Sequence, residues 1–332
     1  MTEELFPRIH RIQVPLPDTP LKMTNAWLIK AHRKGARHLL IDNGFNRPES
    51  LAGLMAGLES LDIRLEDLDC FITHAHADHN GLTPALRASP EAKAWCQADD
   101  ARAINTSVTS DAYWKKLFAR MAENGFPHEE LHAIAARHPA RIYAMAAPVD
   151  FDLVAEGDIL EYSGYALTVI DVPGHTPGHV VLHEAQEKIL FSGDHILGSV
   201  TPNISPWLSM EDPLQSYLQS LDKIAQLDIR LTLPGHRRLI RNTSQRIAEL
   251  KEHHARRLEE VRSILRGQCL TAYQTASRMS WSLRYSCWED FPAPQKWFAT
   301  GEALAHIRHL LNKGETSLNE AHSRSVFTLA EN

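Results

Sequence analysis

Up to about residue 240 the chain alternates short apolar runs with stretches of helical period. Runs of β-forming residues bounded by Pro, Gly, Asn or Asp predict strands at 8–14, 26–29, 38–41 and 70–73, and again at 166–170, 180–183, 189–191 and 231–233. Between them, 48–61 carries Leu51, Leu54, Met55 and Leu58 at helical spacing, with Pro48 in the first turn. Leu214, Tyr217, Leu218, Leu221 and Ile224 form a second apolar stripe, entered by Ser209-x-x-Asp212 at capping-box spacing. Strands interspersed with helices predict a layered α/β domain.

The stretch 98–146 breaks this rhythm. It reads as helices near 112–123 and 129–138, split by Gly125 and Pro127, which either pack on the sheet or form a lid over a site. Beyond Asn242 the period becomes purely helical. Ile247, Leu250, His254, Leu258, Val261 and Leu265 recur at steps of three and four before Gly267 stops the helix. Helical stretches near 271–278 and 301–312 flank an aromatic block of Trp281, Tyr285, Trp288, Phe291, Trp297 and Phe298, read as a small core. The expected organisation is a catalytic domain over 1–244 with a helical insertion at 98–146, a small domain at 245–315, and a polar, frayed tail at 316–332.

Composition narrows the function classes. At 332 residues, 43% hydrophobic and 23% charged, the chain is an ordinary globular one. No apolar run approaches the roughly 20 residues that span a bilayer, and the start shows no secretory signal, so a cytoplasmic location and no membrane partner are expected. A net charge of −6 gives no general attraction to nucleic acid. Cys70, Cys96, Cys269 and Cys287 lie far apart with no C-x-x-C pair, which argues against a thiolate metal knuckle or a disulfide scaffold and suggests buried thiols.

The 19 histidines carry the chemistry. The run Thr73-His74-Ala-His76-Ala-Asp78-His79-Asn-Gly81 follows a short apolar strand directly. Imidazole and carboxylate suit zinc and related metals, and alternate residues leaving a strand end can point into one site. His74 and His76 can share one ion, and Asp78 and His79 can face a second nearby. Three further strand ends repeat the pattern: Pro-Gly174-His175-Thr-Pro-Gly178-His179, Ser-Gly193-Asp194-His195 and Pro-Gly235-His236. A single Gly-His or Gly-Asp means little, but four such strand ends in one chain point to a built site. His179 and His195 read as turn and packing residues, Tyr217 as core, and Arg237 and Arg238 as solvated. His253-His-Ala-Arg256-Arg257, interleaved with glutamates, reads as a solvated helix face.

These motifs resemble those of the metallo-β-lactamase-fold hydrolases, over about residues 8–240. The resemblance implies a four-layer αβ/βα sandwich with the site at the sheet edges. It also implies that His74, His76 and His175 hold one metal, Asp78, His79 and His236 hold a second, and Asp194 bridges both. Asp42 would support the site from behind. With Asp-His and Gly-Asp in place, the pattern is similar to glyoxalase II, lactonases and the β-lactamase-like protein 2 group rather than to the β-lactamases. The stretch from Thr271 to His306 loosely resembles the winged-helix-like C-terminal domain of that last group. The function implied is hydrolysis of a small ester, thioester or lactone by a metal-bridging hydroxide, with Asp78 orienting the nucleophile and accepting its proton. Two divalent ions are expected, zinc first, with iron or manganese compatible with the same donors. The alternatives are a phosphodiesterase acting on single-stranded RNA, with nucleic acid the disfavoured partner, and a non-catalytic metal-binding regulator. The sequence leaves the oligomeric state open.

Overall fold

The computed structural model describes residues 2–33, 35–135, 137–282, 285–321 and 324–330. Seven strands form the first sheet in chain order: β1 (Thr2–Phe6), β2 (Ile9–Pro15), β3 (Met23–Ile29), β4 (His38–Ile41), β5 (Leu68–Phe71), β6 (Ala94–Gln97) and β7 (Asp152–Val154). The pairs from β1 to β4 are antiparallel and those from β4 to β7 parallel. Helix α1 (Pro48–Glu59) crosses between β4 and β5, and the short α2 (Ala77–Asn80) and α3 (Thr83–Leu86) between β5 and β6. The insertion supplies α4 (Ala98–Thr109), α5 (Asp111–Glu123), α6 (His128–Ala135) and α7 (Pro139–Ile142). The second sheet has β8 (Ile159–Tyr162), β9 (Tyr165–Asp171), β10 (Val180–Glu184), β11 (Ile189–Gly193) and β12 (Leu231–Pro234), with α8 (Pro213–Ile224) leading from β11 into the parallel β12. The C-terminal region is mainly helical: α9 (Thr243–Leu265), α10 (Ala272–Ala276) and α11 (Ala293–Asn312), closed by the hairpin of β13 (Thr316–Ala321) and β14 (Arg324–Leu329).

The apolar runs are continuous because the inner strands are covered on both faces. Side chains alternate across a strand, so Trp27, Ile29, Leu39 and Ile41 meet Val169, Val180, Leu182 and Phe191 between the two sheets, while Ala26, Leu28 and Leu40 turn outward onto Leu54 and Leu58 of α1. On the far side Ile170, Val181 and Leu190 pack under α8, α9 and α11. This is the expected αβ/βα sandwich.

Several details differ from the sequence reading. β1 and β8 leave no signal because they are edge strands whose side chains are nearly all exposed or half-buried, and β6 and β7 because they are only four and three residues long. Helix α8 is capped by Asp212, which accepts from the Gln215 amide, and not by Ser209. The 316–332 tail carries a hairpin instead of fraying: Phe327 is buried and exchanges two backbone hydrogen bonds with Leu270. Cys70 and Cys96 are buried, but Cys269 and Cys287 are exposed. The insertion packs in two places. α4 lies on Ala94 and Cys96, and α5 and α6 bury Met121, Phe126, Leu131 and Ile134 against Trp297 of α11. Trp297 therefore joins the insertion to α11, whereas the sequence pattern assigns the whole aromatic block to a core of the small domain. Among the described residues no helix is long and apolar enough to cross a membrane.

The face of α9 that reads as solvated turns two residues inward. Arg257 lies between Glu260 and Glu302, and His254 is buried against His306 of α11. His306 Nδ1–H donates to the Glu302 carbonyl (2.7 Å), so its Nε2 is the acceptor for His254 Nδ1–H (3.1 Å). Both rings are neutral in this chain of bonds. Burial pushes His306 down to about 3 and His254 well below the usual range. The unfolded chain takes up these protons below about pH 6.5 and the folded chain does not. Their contribution to stability is therefore intact above pH 6.5 and falls as the pH drops toward 3, by up to about 1.4 kcal/mol per pH unit for each group. Denaturant titrations between pH 6.5 and 4 should show a shallower loss of stability for His306→Gln than for the parent. Equal slopes would mean that the pair does not titrate with unfolding.

Candidate metal centre

Four strand ends meet at one edge of the sandwich. After β5 the chain runs through Thr73 to His74 and His76, then winds into α2, whose first turn presents Asp78 and His79. His175 sits on the turn between β9 and β10, Asp194 just after β11, and His236 two residues after β12. Gly235 permits the closest approach: a Cβ there would lie 2.5 Å from Asp194 Oδ1 and 2.6 Å from His79 Cε1. Any side chain would drive these groups apart.

All seven residues singled out from the sequence come together. His74, His76 and His175 have ligand-capable atoms within 4.8 Å of one another, as do Asp78, His79 and His236, and His74, His79 and Asp194. Asp194 reaches both sides of the cluster, with Oδ1 3.6 Å from His79 Nε2 and Oδ2 3.4 Å from His236 Nε2 and 3.9 Å from His175 Nε2. Asp78 Oδ2 is 3.1 Å from His236 Nε2.

The hydrogen bonds behind the rings fix their tautomers. His175 Nδ1–H donates to the Asn203 carbonyl (2.8 Å), and His236 Nδ1–H to the Met23 carbonyl (2.9 Å). His79 Nδ1–H donates to Asp42 Oδ2 (2.7 Å). Thr73 Oγ1 gives its proton to Asp42 and so accepts from His74 Nδ1–H (3.0 Å). Each ring turns its Nε2 toward the cluster; those of His79 and His236 face each other and the carboxylates, while buried His74 Nε2, His175 Nε2 and Asp194 Oδ1 have no protein partner. Lone pairs without a donor, converging in a buried site, fit a cation.

The electrostatics agree. Burial disfavours charge on His79 and His236, but Asp194 and Asp78 outweigh it at both rings, joined by Asp42 at His79, which is raised to about 9. Burial likewise opposes the Asp78 carboxylate, yet His79 and His236 hold it down at about 2. Carboxylates that draw protons onto these imidazoles will draw a divalent ion in their place. Burial keeps His74, His76 and His175 neutral, the state in which imidazole ligates metal, with His76 at about 3.

A family model described as the metallo-beta-lactamase superfamily matches residues 19–236, a span that holds all seven side chains. The chain belongs to this superfamily. It is 26% identical over 255 residues to a probable metallo-hydrolase, YqjP, of Bacillus subtilis, covering 74% of this chain and 78% of that protein. It is 28% identical over 221 residues to an acyl-coenzyme A thioesterase of Gallus gallus, covering 64% and 72%. Several further relatives are longer, and the matched region spans 61% to 66% of their length. Among solved structures, a metallo-beta-lactamase family protein of Thermus thermophilus superposes with a TM-score of 0.84 at 26% identity, over 98% of this chain and all of that one. Hydrolase-named relatives and the His/Asp cluster together make this member of the superfamily a metal-dependent hydrolase.

Of the residues that support the ligands, Asp42 is where the family resemblance puts it, behind the site, in a left-handed backbone conformation (φ 61°) that asparagine and aspartate tolerate best. Asp100, Asn203 and Trp207 carry no signal in the sequence. Asp100 opens a helix, where an acidic residue reads as an ordinary complement to the helix dipole. In the fold it is fully buried and ties two ligand-bearing turns together: it accepts from Ala75 N (2.8 Å), Gly178 N (2.7 Å) and the Thr176 hydroxyl. Asp100→Ala leaves three buried donors without an acceptor and should cost about 3 kcal/mol in a denaturant titration. A loss under about 0.5 kcal/mol, the range of neutral surface changes, would show that Asp100 does not staple the turns.

Proposed function

We propose that the chain is a dinuclear metallo-hydrolase of small carboxylic thioesters, with esters and lactones as chemically adjacent substrates. The observation that carries this reading is the convergence of imidazole Nε2 atoms on Asp194. The thioester preference draws on the relative named as an acyl-coenzyme A thioesterase. In this reading His74, His76 and His175 would hold one ion, and Asp78, His79 and His236 the other. Asp194 has its two oxygens toward both sets and would serve either. The donors are imidazole and carboxylate without thiolate, which suits zinc and also admits iron or manganese. The ions supply Lewis acidity, which activates water near neutral pH and polarises the scissile carbonyl.

The protein's part is positional and protonic. Asp42 holds His79 through Nδ1, and the Asn203 and Met23 carbonyls hold His175 and His236, so the rings cannot turn away. Water can reach either carboxylate, since 13% of the Asp78 side chain and 10% of the Asp194 side chain are exposed. Asp78 differs in facing one ligand set only. Its place beside His236 suits it to orient the attacking water and take its proton.

Two measurements test this. Elemental analysis after reconstitution with excess zinc should give two ions per chain, and a stable single ion would count against the dinuclear reading. A parallel panel of acyl-coenzyme A thioesters, lactones and single-stranded RNA should show turnover of the thioesters; cleavage of RNA alone would replace the proposal with phosphodiester hydrolysis. Within the site, Asp194→Ala should abolish metal pairing and activity together. Asp78→Asn should retain metal while turnover falls on the order of 10²-fold or more. An Asp78→Asn enzyme with full activity and both ions would remove Asp78 from the mechanism.

A further inference from the structure

Three of the four fixed imidazoles are held from within the first sheet: His74 by Thr73, His79 by Asp42 and His236 by the Met23 carbonyl. His175 differs. Its acceptor is the carbonyl of Asn203, in the long loop between β11 and α8. The same loop returns to the site at Trp207, whose indole N–H donates to the His175 carbonyl (3.0 Å) and whose ring stacks on His76 at 5.9 Å between centroids. Loop 203–207 thus touches two of the three histidines of one set.

The loop does not hold itself. Asn203 Nδ2 donates to the Phe298 carbonyl (3.4 Å) and to Glu302 Oε2 (3.3 Å), both on α11, while its Oδ1 accepts from the Ser205 hydroxyl (2.6 Å). Two acceptors on one side and a donor on the other fix which end of the amide is nitrogen. Glu302 is in turn set by Arg257 Nε of α9 (3.2 Å), and that guanidinium also donates to the Ser280 carbonyl (2.7 Å) and lies 4.2 Å over the Trp281 ring. Gly301 lets the loop settle directly on the helix: a Cβ there would stand 2.5 Å from Ser205 Oγ and 3.1 Å from Ser205 Cβ. From the other side, Arg120 of α5 donates to the Trp207 carbonyl (2.8 Å).

We propose that Asn203 is a positioning residue for His175, and that helix α11, through Glu302, Phe298 and the gap at Gly301, sets how tightly the His74/His76/His175 set holds its ion. This rests on the reading of His175 as a metal ligand. The physical reason is that an imidazole rotates freely about its last torsion unless its second nitrogen has a fixed acceptor. A backbone carbonyl in a loop is fixed only as well as the loop is. The tether from α11 supplies that fixity from a part of the chain that contributes no ligand.

The test measures zinc affinity of the full-length protein by competition with a chromophoric chelator, together with bound zinc per chain and the melting of the metal-free protein. Asn203→Ala keeps the carbonyl that His175 needs and removes the side chain that ties the loop to α11 and accepts from Ser205. Gly301→Ala pushes Ser205 off the helix; it adds helix propensity but also a buried methyl, so the melting of the metal-free protein is read beside it. Each should weaken one of the two ions by about 10- to 100-fold and leave the other as in the parent. Both metal-free variants should still melt in a single transition well above the assay temperature. His175→Ala is the reference and should lose the same ion outright. Parent-like affinity for both ions in Asn203→Ala and Gly301→Ala, with the ion lost in His175→Ala, overturns the role of α11 and leaves the ligand reading standing. Parent-like binding in His175→Ala overturns the ligand reading and the inference with it.

Discussion

The site depends on one constraint: four of its five candidate-ligand imidazoles give the Nδ1 proton to an acceptor behind them, and their Nε2 atoms are thereby aimed at a common centre. A histidine on a loop has two nitrogens and two ring orientations. Without a fixed partner, several such rings would find one another's protons and close into a hydrogen-bonded cluster. Here two partners are backbone carbonyls, which can only accept, and the other two rings lean on a network anchored by Asp42. Asp42 takes the Thr73 amide, the Thr73 hydroxyl and His79 Nδ1. One buried carboxylate thus orients His79 directly and His74 through Thr73. Its left-handed backbone is a local strain accepted for that reach.

The sandwich exists to bring these acceptors within range. Parallel pairing of β4 with β5 sets the end of β4, where Asp42 lies, beside the end of β5 and Thr73. Parallel pairing of β11 with β12 does the same for Asp194 and His236. The apolar faces between the sheets then hold the two edges together. The loops at those edges must be short or tied, because a metal site tolerates little error in ligand position. Asp100 ties the turn of His74 and His76 to that of His175, and α11 and α5 clamp the loop that backs His175. The insertion and the C-terminal helices, which supply no ligand, therefore act on the centre by holding its loops.

How much of this the sequence discloses follows from where each residue's partners lie. The seven candidate ligands are legible because they cluster directly after apolar strands and because their chemistry is unusual for a strand end. Most inner strands are legible because burial on both faces makes their apolar runs continuous; β6, four residues with alternate side chains half-buried, is inner and leaves no such run. Edge strands β1 and β8 bury only one side chain between them and leave no such run. Asp100, Asn203 and Arg257 look like ordinary surface residues in the sequence. Their partners stand far away along the chain, 76 residues for Asp100 and Thr176, 99 for Asn203 and Glu302, and 45 for Arg257 and Glu302. Local pattern cannot register such pairs. His254 and Arg257 mislead for a related reason: a run of alternating charge reads as solvated until a second helix, α11, packs against it.

The central claim is that the Nε2 atoms fixed from behind form two adjacent metal positions. Anomalous diffraction at the zinc edge from crystals of the zinc-loaded protein tests it most directly. The account predicts two zinc peaks, one in contact with Nε2 of His74 and His175 and one with Nε2 of His79 and His236, with Asp194 reaching both. Zinc bound through Nδ1 of these rings, or away from the strand ends altogether, would contradict it.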